Sequence, residues 1–192
     1  MRLFVALNLP TAERKRLHKA ARPLRDSELP IRWLEPDAYH LTLKFLGEVL
    51  PENAARVQAA ARAIAAKTSR FPVEIEGFGA FPSVRRPRVI WAGVHALPEL
   101  RALKHDLEWE LASLGFEREL RAFHPHITIG RTATDSRAGE FRALESLAAD
   151  LHYESQVQPT TVDLMQSRLS PAGASYTVVA KMSLGELSGA RK

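Results

Sequence analysis

No cysteine occurs among the 192 residues, which excludes disulfides, thiolate nucleophiles and cysteine-bound metals together. The absence fits a reducing compartment, and a cytoplasmic location is expected. Nor does any apolar run approach the roughly 20 residues a membrane helix needs, so no membrane partner is expected. The opening "LFVALNLP" is too short for the apolar core of a signal peptide and is broken by Asn8 and Pro10; it reads as a first strand.

What is present is ordinary in bulk. A 45% hydrophobic and 26% charged composition suits a folded chain, and the length suits one unit, so a single domain over residues 1–192 is expected. Formal charge is +5 and pI ≈ 9.8, which favours a polyanionic partner only where cations cluster. The densest cluster is "SVRRPR", where Arg85, Arg86 and Arg88 sit in a proline-containing loop and are candidates for contacting RNA phosphates. A solvated loop without a partner explains them equally well.

Along the chain, Thr11 reads as an N-cap, followed by a helix through Leu17, Ala20 and Leu24 that Pro23 bends or ends. "IRWLEPDA" reads as an extended piece and a turn. Pro51 opens an alanine-rich helix, and "VEIEGF" and "RVIWAGV" read as strands bracketing the arginine loop. Leu100, Leu103, Leu107, Leu111 and Leu114 make one apolar stripe on a helix stopped by Gly115; burial against a sheet accounts for it. A helix near "EFRALESLAAD" and strands around "HYESQVQ", "TVDLMQSRL" and "ASYTVVAKM" follow, and the "GELSGARK" tail is expected to fray.

Two stretches repeat each other: "YHLTLKFLG" and "HPHITIGRT", with His40 and His126 separated by 86 positions. Each is a strand pattern followed by a helix and further strands. Trp91 and Tyr176 also keep similar offsets from the two histidines, as expected of a diverged duplication; the period is too long for a solenoid.

In a strand, residues i and i+2 share a face, so His40 with Thr42, and His126 with Thr128, each present an imidazole beside a hydroxyl while Leu41, Leu43, Ile127 and Ile129 point into packing. Side by side about a pseudo-twofold axis, the two pairs would flank a gap fit for one phosphate. A histidine pKa near 6.5 lets a neutral copy accept a proton and a charged copy donate one at the same pH. In-line displacement at phosphorus needs that pair of roles, and the threonine hydroxyls would hold non-bridging oxygens.

Beyond these motifs, "RLFVAL", "FHPHITIGR", "RVIWAGV" and "LMQSRLSPAGASY" resemble text at matching places in the 2H phosphoesterase superfamily, most closely its bacterial and archaeal RNA 2',3'-cyclic phosphodiesterase branch. The resemblance spans nearly the whole chain. It implies an α+β fold of two pseudo-symmetric lobes, mainly antiparallel sheet with helices packed outside and a central cleft. It implies hydrolysis of an RNA-terminal or nucleoside 2',3'-cyclic phosphate to the 2'-phosphate; the paired histidines need no metal or cofactor, and a monomer is expected. His40 would be the acid, His126 the base, and Thr42, Thr128 and Arg131 the phosphate ligands. Members of this branch also carry out reversible 2'-5' RNA ligation.

Simple alternation puts Arg131 on the face opposite His126, so it reaches the cleft only through a bulge or sharp twist at Gly130. His124 shares the His126 face, with Pro125 complicating its geometry. Lys44 reads as a solvated strand end. Phe45, Phe81, Trp91 and Tyr176 are candidates to stack on a base, with Phe45 kept among the RNA-binding residues, although sheets need aromatics for packing in any case. His18, His95, His105 and His152 receive no role. Two other readings stand: a metal site using His40, His124 and His126, against which no carboxylate accompanies either motif, and a non-catalytic RNA-binding module, which accounts for the cations but not the paired histidines.

Overall fold

The order of strand- and helix-forming segments produces nine strands and five helices among the described residues of the computed structural model, which are 1–132, 139–170 and 173–186. The strands are β1 (Arg2–Asn8), β2 (Ile31–Trp33), β3 (His40–Glu48), β4 (Val73–Phe81), β5 (Val89–Val94), β6 (His126–Thr132), β7 (Glu154–Val157), β8 (Thr161–Ser170) and β9 (Gly173–Ser183). The helices are α1 (Thr11–Ala20), α2 (Arg22–Arg25), α3 (Pro51–Lys67), α4 (Pro98–Ala112) and α5 (Arg142–Asp150). Pro51 and Pro98 each occupy a first helical turn, where a missing N–H costs nothing. Gly115 (φ 91°) closes α4, with the Phe116 N–H returning to the Leu111 carbonyl. Thr11 is the first residue of α1 rather than its cap: Pro10 takes the cap position and no side chain bonds the helix end. Of the C-terminal tail, Leu187–Lys192 lies outside the described residues.

All strands join one antiparallel sheet in the order β7-β4-β5-β6-β3-β1-β8-β9, with β2 also pairing β6. The halves β7-β4-β5-β6 and β3-β1-β8-β9 meet only at β3 and β6, through the single pair Leu41–Ile127. Beyond it the strands part, and β2 takes over the freed edge of β6, with Trp33 opposite Gly130. These are the two lobes and the cleft between them. One face of the sheet carries a continuous core including Leu3, Val5, Leu41, Leu43, Ile75, Ile90, Ile127 and Ile129, covered by helices whose Val57, Leu103 and Leu107 belong to the same cluster. On the opposite face of the lobe holding the first motif, β3-β1-β8-β9, the buried apolar cluster among the described residues is Phe4, Ala6 and Met165, with Tyr176 packed against them.

Strand order corrects one detail of the internal repeat. Trp91 lies on β5, next to β6, whereas Tyr176 lies on β9, three strands from β3. They are not equivalent positions, and their matching sequence offsets are coincidental.

Candidate active site

The β3–β6 junction puts the two motifs on adjacent strands. Antiparallel pairing of Leu41 with Ile127 turns residues 40 and 42 toward 128 and 126 on the shared opposite face. Burial follows this alternation: Leu41, Leu43, Ile127 and Ile129 are buried, while His40, Thr42, His126 and Thr128 are half-buried. Neither threonine hydroxyl has a partner among the described residues, so both are free to donate into the cleft.

Each imidazole is held the same way. His40 Nδ1 lies 2.8 Å from the Ala38 carbonyl, and His126 Nδ1 lies 2.8 Å from the His124 carbonyl, both two residues upstream. A carbonyl only accepts, so Nδ1 carries the hydrogen and Nε2 is left as the exchanging nitrogen. Aromatic rings fix the remaining freedom. His40 meets Tyr176 edge-on at 4.8 Å and Phe4 at 4.9 Å; His126 meets Phe81 edge-on at 5.0 Å. His124 thus serves His126 through its backbone.

Burial lowers both histidine pKa values, against the carbonyl bonds that raise them. His40 falls to about 4, with Arg131, Arg14 and His126 adding repulsion. His126 is also lowered, with Arg131 and His124 adding to burial. Arg131 thus repels a proton on both rings at the cleft, and His126 repels one on His40.

A bulge brings Arg131 there. Along β5 the register passes from Ile90–Gly130 to Trp91–Thr128, leaving Ile129 as the extra residue. Ile129 and Gly130 both turn to the core face, and Arg131 returns to the histidine face. Glycine is required at 130 because a Cβ would come within 2.8 Å of Ile31 and 2.9 Å of Trp33. β3 carries the same device. Its register against β1 passes from Phe4–Phe45 and Val5–Lys44 to Ala6–Thr42, so Leu43 is the extra residue. Lys44 is consequently buried at 4% exposure, not solvated, and pairs with Glu108 at 2.6 Å. Phe45 is turned outward at 67% exposure, against Phe4.

The Lys44–Glu108 pair extends further. Lys104 also bonds Glu108, the Glu119 amide donates to it over 3.1 Å, and Lys44 donates to the Glu117 carbonyl. Burial pushes the Glu108 carboxyl up, but Lys104, Lys44 and the Glu119 amide outweigh it and hold the group below the usual range. The network ties β3 to the loop that delivers His124 and His126.

Among residues the sequence reading missed, Phe4 was hidden because β1 is covered on both faces and shows no alternation. Asn8, Cα partner of His40, donates to Asp163 over 2.6 Å, and the other Asp163 carboxylate oxygen is buried without a partner. Beside His126, Phe81, Trp91, Phe123, His124 and Arg101 line a cavity of about 440 Å³. The arginine loop is ordered by hydrogen bonds from the Arg88 N–H to Phe81 and from Thr132 to Arg88 and Pro87, with Arg85, Arg86 and Arg88 exposed. Arg85 spends its charge on Glu145 at 3.2 Å. Among the described residues no three His, Asp or Glu side chains gather into a metal-binding group, so His40, His124 and His126 do not converge as the metal reading requires.

The family model for LigT-like phosphoesterases matches residues 7–91 and 95–176, covering both motifs. This chain belongs to that family. It is similar to the RNA 2',3'-cyclic phosphodiesterase of Aeropyrum pernix (35% identity over 80% of this chain and 88% of the relative). The same is true of that of Methanothermobacter thermautotrophicus (29%, over 92% and 95%). Among solved structures, TT0787 of Thermus thermophilus aligns with TM-score 0.80 at 29% identity, covering 97% of this chain and 99% of that one. Escherichia coli LigT complexed with 3'-AMP aligns with TM-score 0.73 at 27% identity, covering 95% and 97%. These two share the LigT-like chain's curled antiparallel sheet. No helix among the described residues is long and apolar enough to cross a membrane.

Proposed function

We propose that this LigT-like phosphoesterase hydrolyses the 2',3'-cyclic phosphate at an RNA 3' end, or on a nucleoside, to the 2'-phosphate, using His40 and His126 as the acid–base pair. The observation that carries the reading is the repeated geometry: two imidazoles on adjacent strands, each with Nδ1 tied to a carbonyl and each beside an unpartnered threonine hydroxyl. Water attacks phosphorus in line while one Nε2 takes its proton; the P–O3' bond breaks, and the other Nε2 delivers a proton to O3'. Thr42, Thr128 and Arg131 hold the non-bridging oxygens as charge accumulates. A ribose 5'-hydroxyl in place of water gives the 2'-5' ligation.

The family resemblance assigns His40 as acid and His126 as base. In the free site burial pushes both rings down, His40 to about 4, which works against a proton resting on His40. The assignment therefore requires the bound phosphate and the departing oxygen to raise His40. The two motifs come from one chain, which supports action as a single-domain monomer, and a cysteine-free enzyme of RNA ends fits a cytoplasmic location. The exposure of Arg86, Arg88 and Phe45 supports a role for them in contacting the RNA.

The test is product analysis on a short RNA ending in a 2',3'-cyclic phosphate, in EDTA. A 2'-phosphate product is expected. A 3'-phosphate rejects the stereochemistry, loss of activity in EDTA restores the metal reading, and an inactive but RNA-binding protein supports the binding module. A nitrophenyl phosphodiester, whose leaving group needs no proton, should rescue the acid variant and not the base variant.

A further inference from the structure

Arg32 carries an inference that rests on this reading and extends it. β2 pairs with β6 so that Arg32 is the Cα partner of Arg131. Cross-strand partners share a face, with Cβ atoms about 5 Å apart. Burial confirms the face: Ile31 belongs to the core and Trp33 packs against it, while Arg32 between them is exposed on the other side. Gly130, neighbour of Arg131, abuts Ile31 and Trp33 on the core side, which leaves both arginines on the cleft side.

Two guanidinium groups directly opposite one another repel unless something anionic lies between them. Some arginines are neutralised by acids: Arg14 pairs Asp37, Arg16 pairs Glu13, Arg22 pairs Asp26 and Arg121 pairs Glu119. Arg32 and Arg131 have no carboxylate partner among the described residues. The Arg32 guanidinium also packs on the backbone of Gly173, where it fills the space a Cβ would need. Gly173 belongs to the β8–β9 hairpin of the opposite lobe, so this contact holds Arg32 at the cleft.

We propose that Arg32 forms a second phosphate subsite that takes the phosphodiester on the 5' side of the terminal nucleotide, with Arg131 bridging from the cyclic phosphate to it. The chemistry allows one direction only, because an RNA closed by a 2',3'-cyclic phosphate continues solely through its 5' oxygen. The spacing suits it: residue 131 lies three positions beyond Thr128, at most about 10 Å along the strand. A second phosphate bound there discriminates RNA ends from cyclic mononucleotides, and two bidentate donors suit it better than one.

The test compares a nucleoside 2',3'-cyclic phosphate with a dinucleotide carrying the same end. Wild type should prefer the dinucleotide, and Arg32→Gln, which keeps the aliphatic stem, should cut that preference about tenfold, mainly through KM. The salt dependence of kcat/KM on the dinucleotide should become shallower by about 0.7 in log–log slope. Arg32→Lys should restore the salt slope more fully than the preference. Equal losses on both substrates, or an unchanged preference, overturn the subsite while leaving the phosphodiesterase reading intact. Wild type inactive on both substrates overturns the function and the subsite together.

Discussion

The two lobes solve one problem twice and then diverge at the next residue. Each offers His-x-Thr, a carbonyl on Nδ1 two residues upstream, an edge-on aromatic ring and a bulge just after the threonine. After the bulge, β3 continues as Lys44-Phe45 and β6 as Gly130-Arg131. The first lobe uses its bulge to bury a cation and expose an aromatic ring. The second buries only a glycine after its bulge and delivers a cation to the cleft. Acid–base chemistry needs matched groups in opposite protonation states, so the matched part makes the pair, and the divergent part adds Arg131, whose charge lowers both rings.

The largest break of this comparison is removal of either member. His40→Ala and His126→Ala should each lower kcat on a cyclic phosphate about a thousandfold to ten-thousandfold. Because the pair acts as a unit, the double variant should be little worse than either single one. Steady-state kinetics with a fluorescent RNA end checks this, and a single variant with substantial turnover removes the proposed mechanism.

Next comes the residue buried by the first bulge. Lys44→Met should cost about 3–5 kcal/mol in urea unfolding, because it leaves Glu108 buried with one fewer cation. Adding Glu108→Leu should recover much of that loss. If Lys44→Met is neutral, the pair does not brace the loop that carries His126.

A sharper comparison sets Thr42→Val against Thr128→Val. Both should keep the fold and lose about a hundredfold in kcat, with KM changing less, since a non-bridging oxygen calls on the hydroxyls most as charge develops. Unequal losses would identify the strand that meets the more heavily charged oxygen.

Much of this was legible in the sequence because it follows from alternation. The faces of Leu41, Leu43, Ile127 and Ile129, the helix start at Pro51, and the stop at Gly115 all obey local rules. Lys44, Phe45 and Arg131 did not, because a bulge inverts every face downstream and its position depends on the neighbouring strand's register. Gly130 carried the one local hint, and its cause is steric: Ile31 and Trp33 occupy the space. Arg32 was illegible for a related reason, as nothing local announces that a three-residue strand will pair with β6. Phe4 sat in a strand buried on both faces, where polarity has no period.

The smallest expected effect tests the imbalance between the lobes most directly. Both histidines in the free site titrate below their ordinary 6.5, His40 at about 4, and the reactive form binds one shared proton. kcat/KM reports the free enzyme, so it should peak below pH 6.5 and fall about tenfold per unit above the upper apparent pKa. Arg131 lowers both values by charge repulsion. In Arg131→Ala the proton is held more tightly, and the falling limb must move to higher pH even as the maximum drops from weaker phosphate binding. Arg131→Lys keeps a charge at the same strand position and should leave the limb near the wild-type pH. A limb that stays put in Arg131→Ala would mean burial alone sets the histidines, and that the second bulge serves phosphate binding without tuning the acid–base pair.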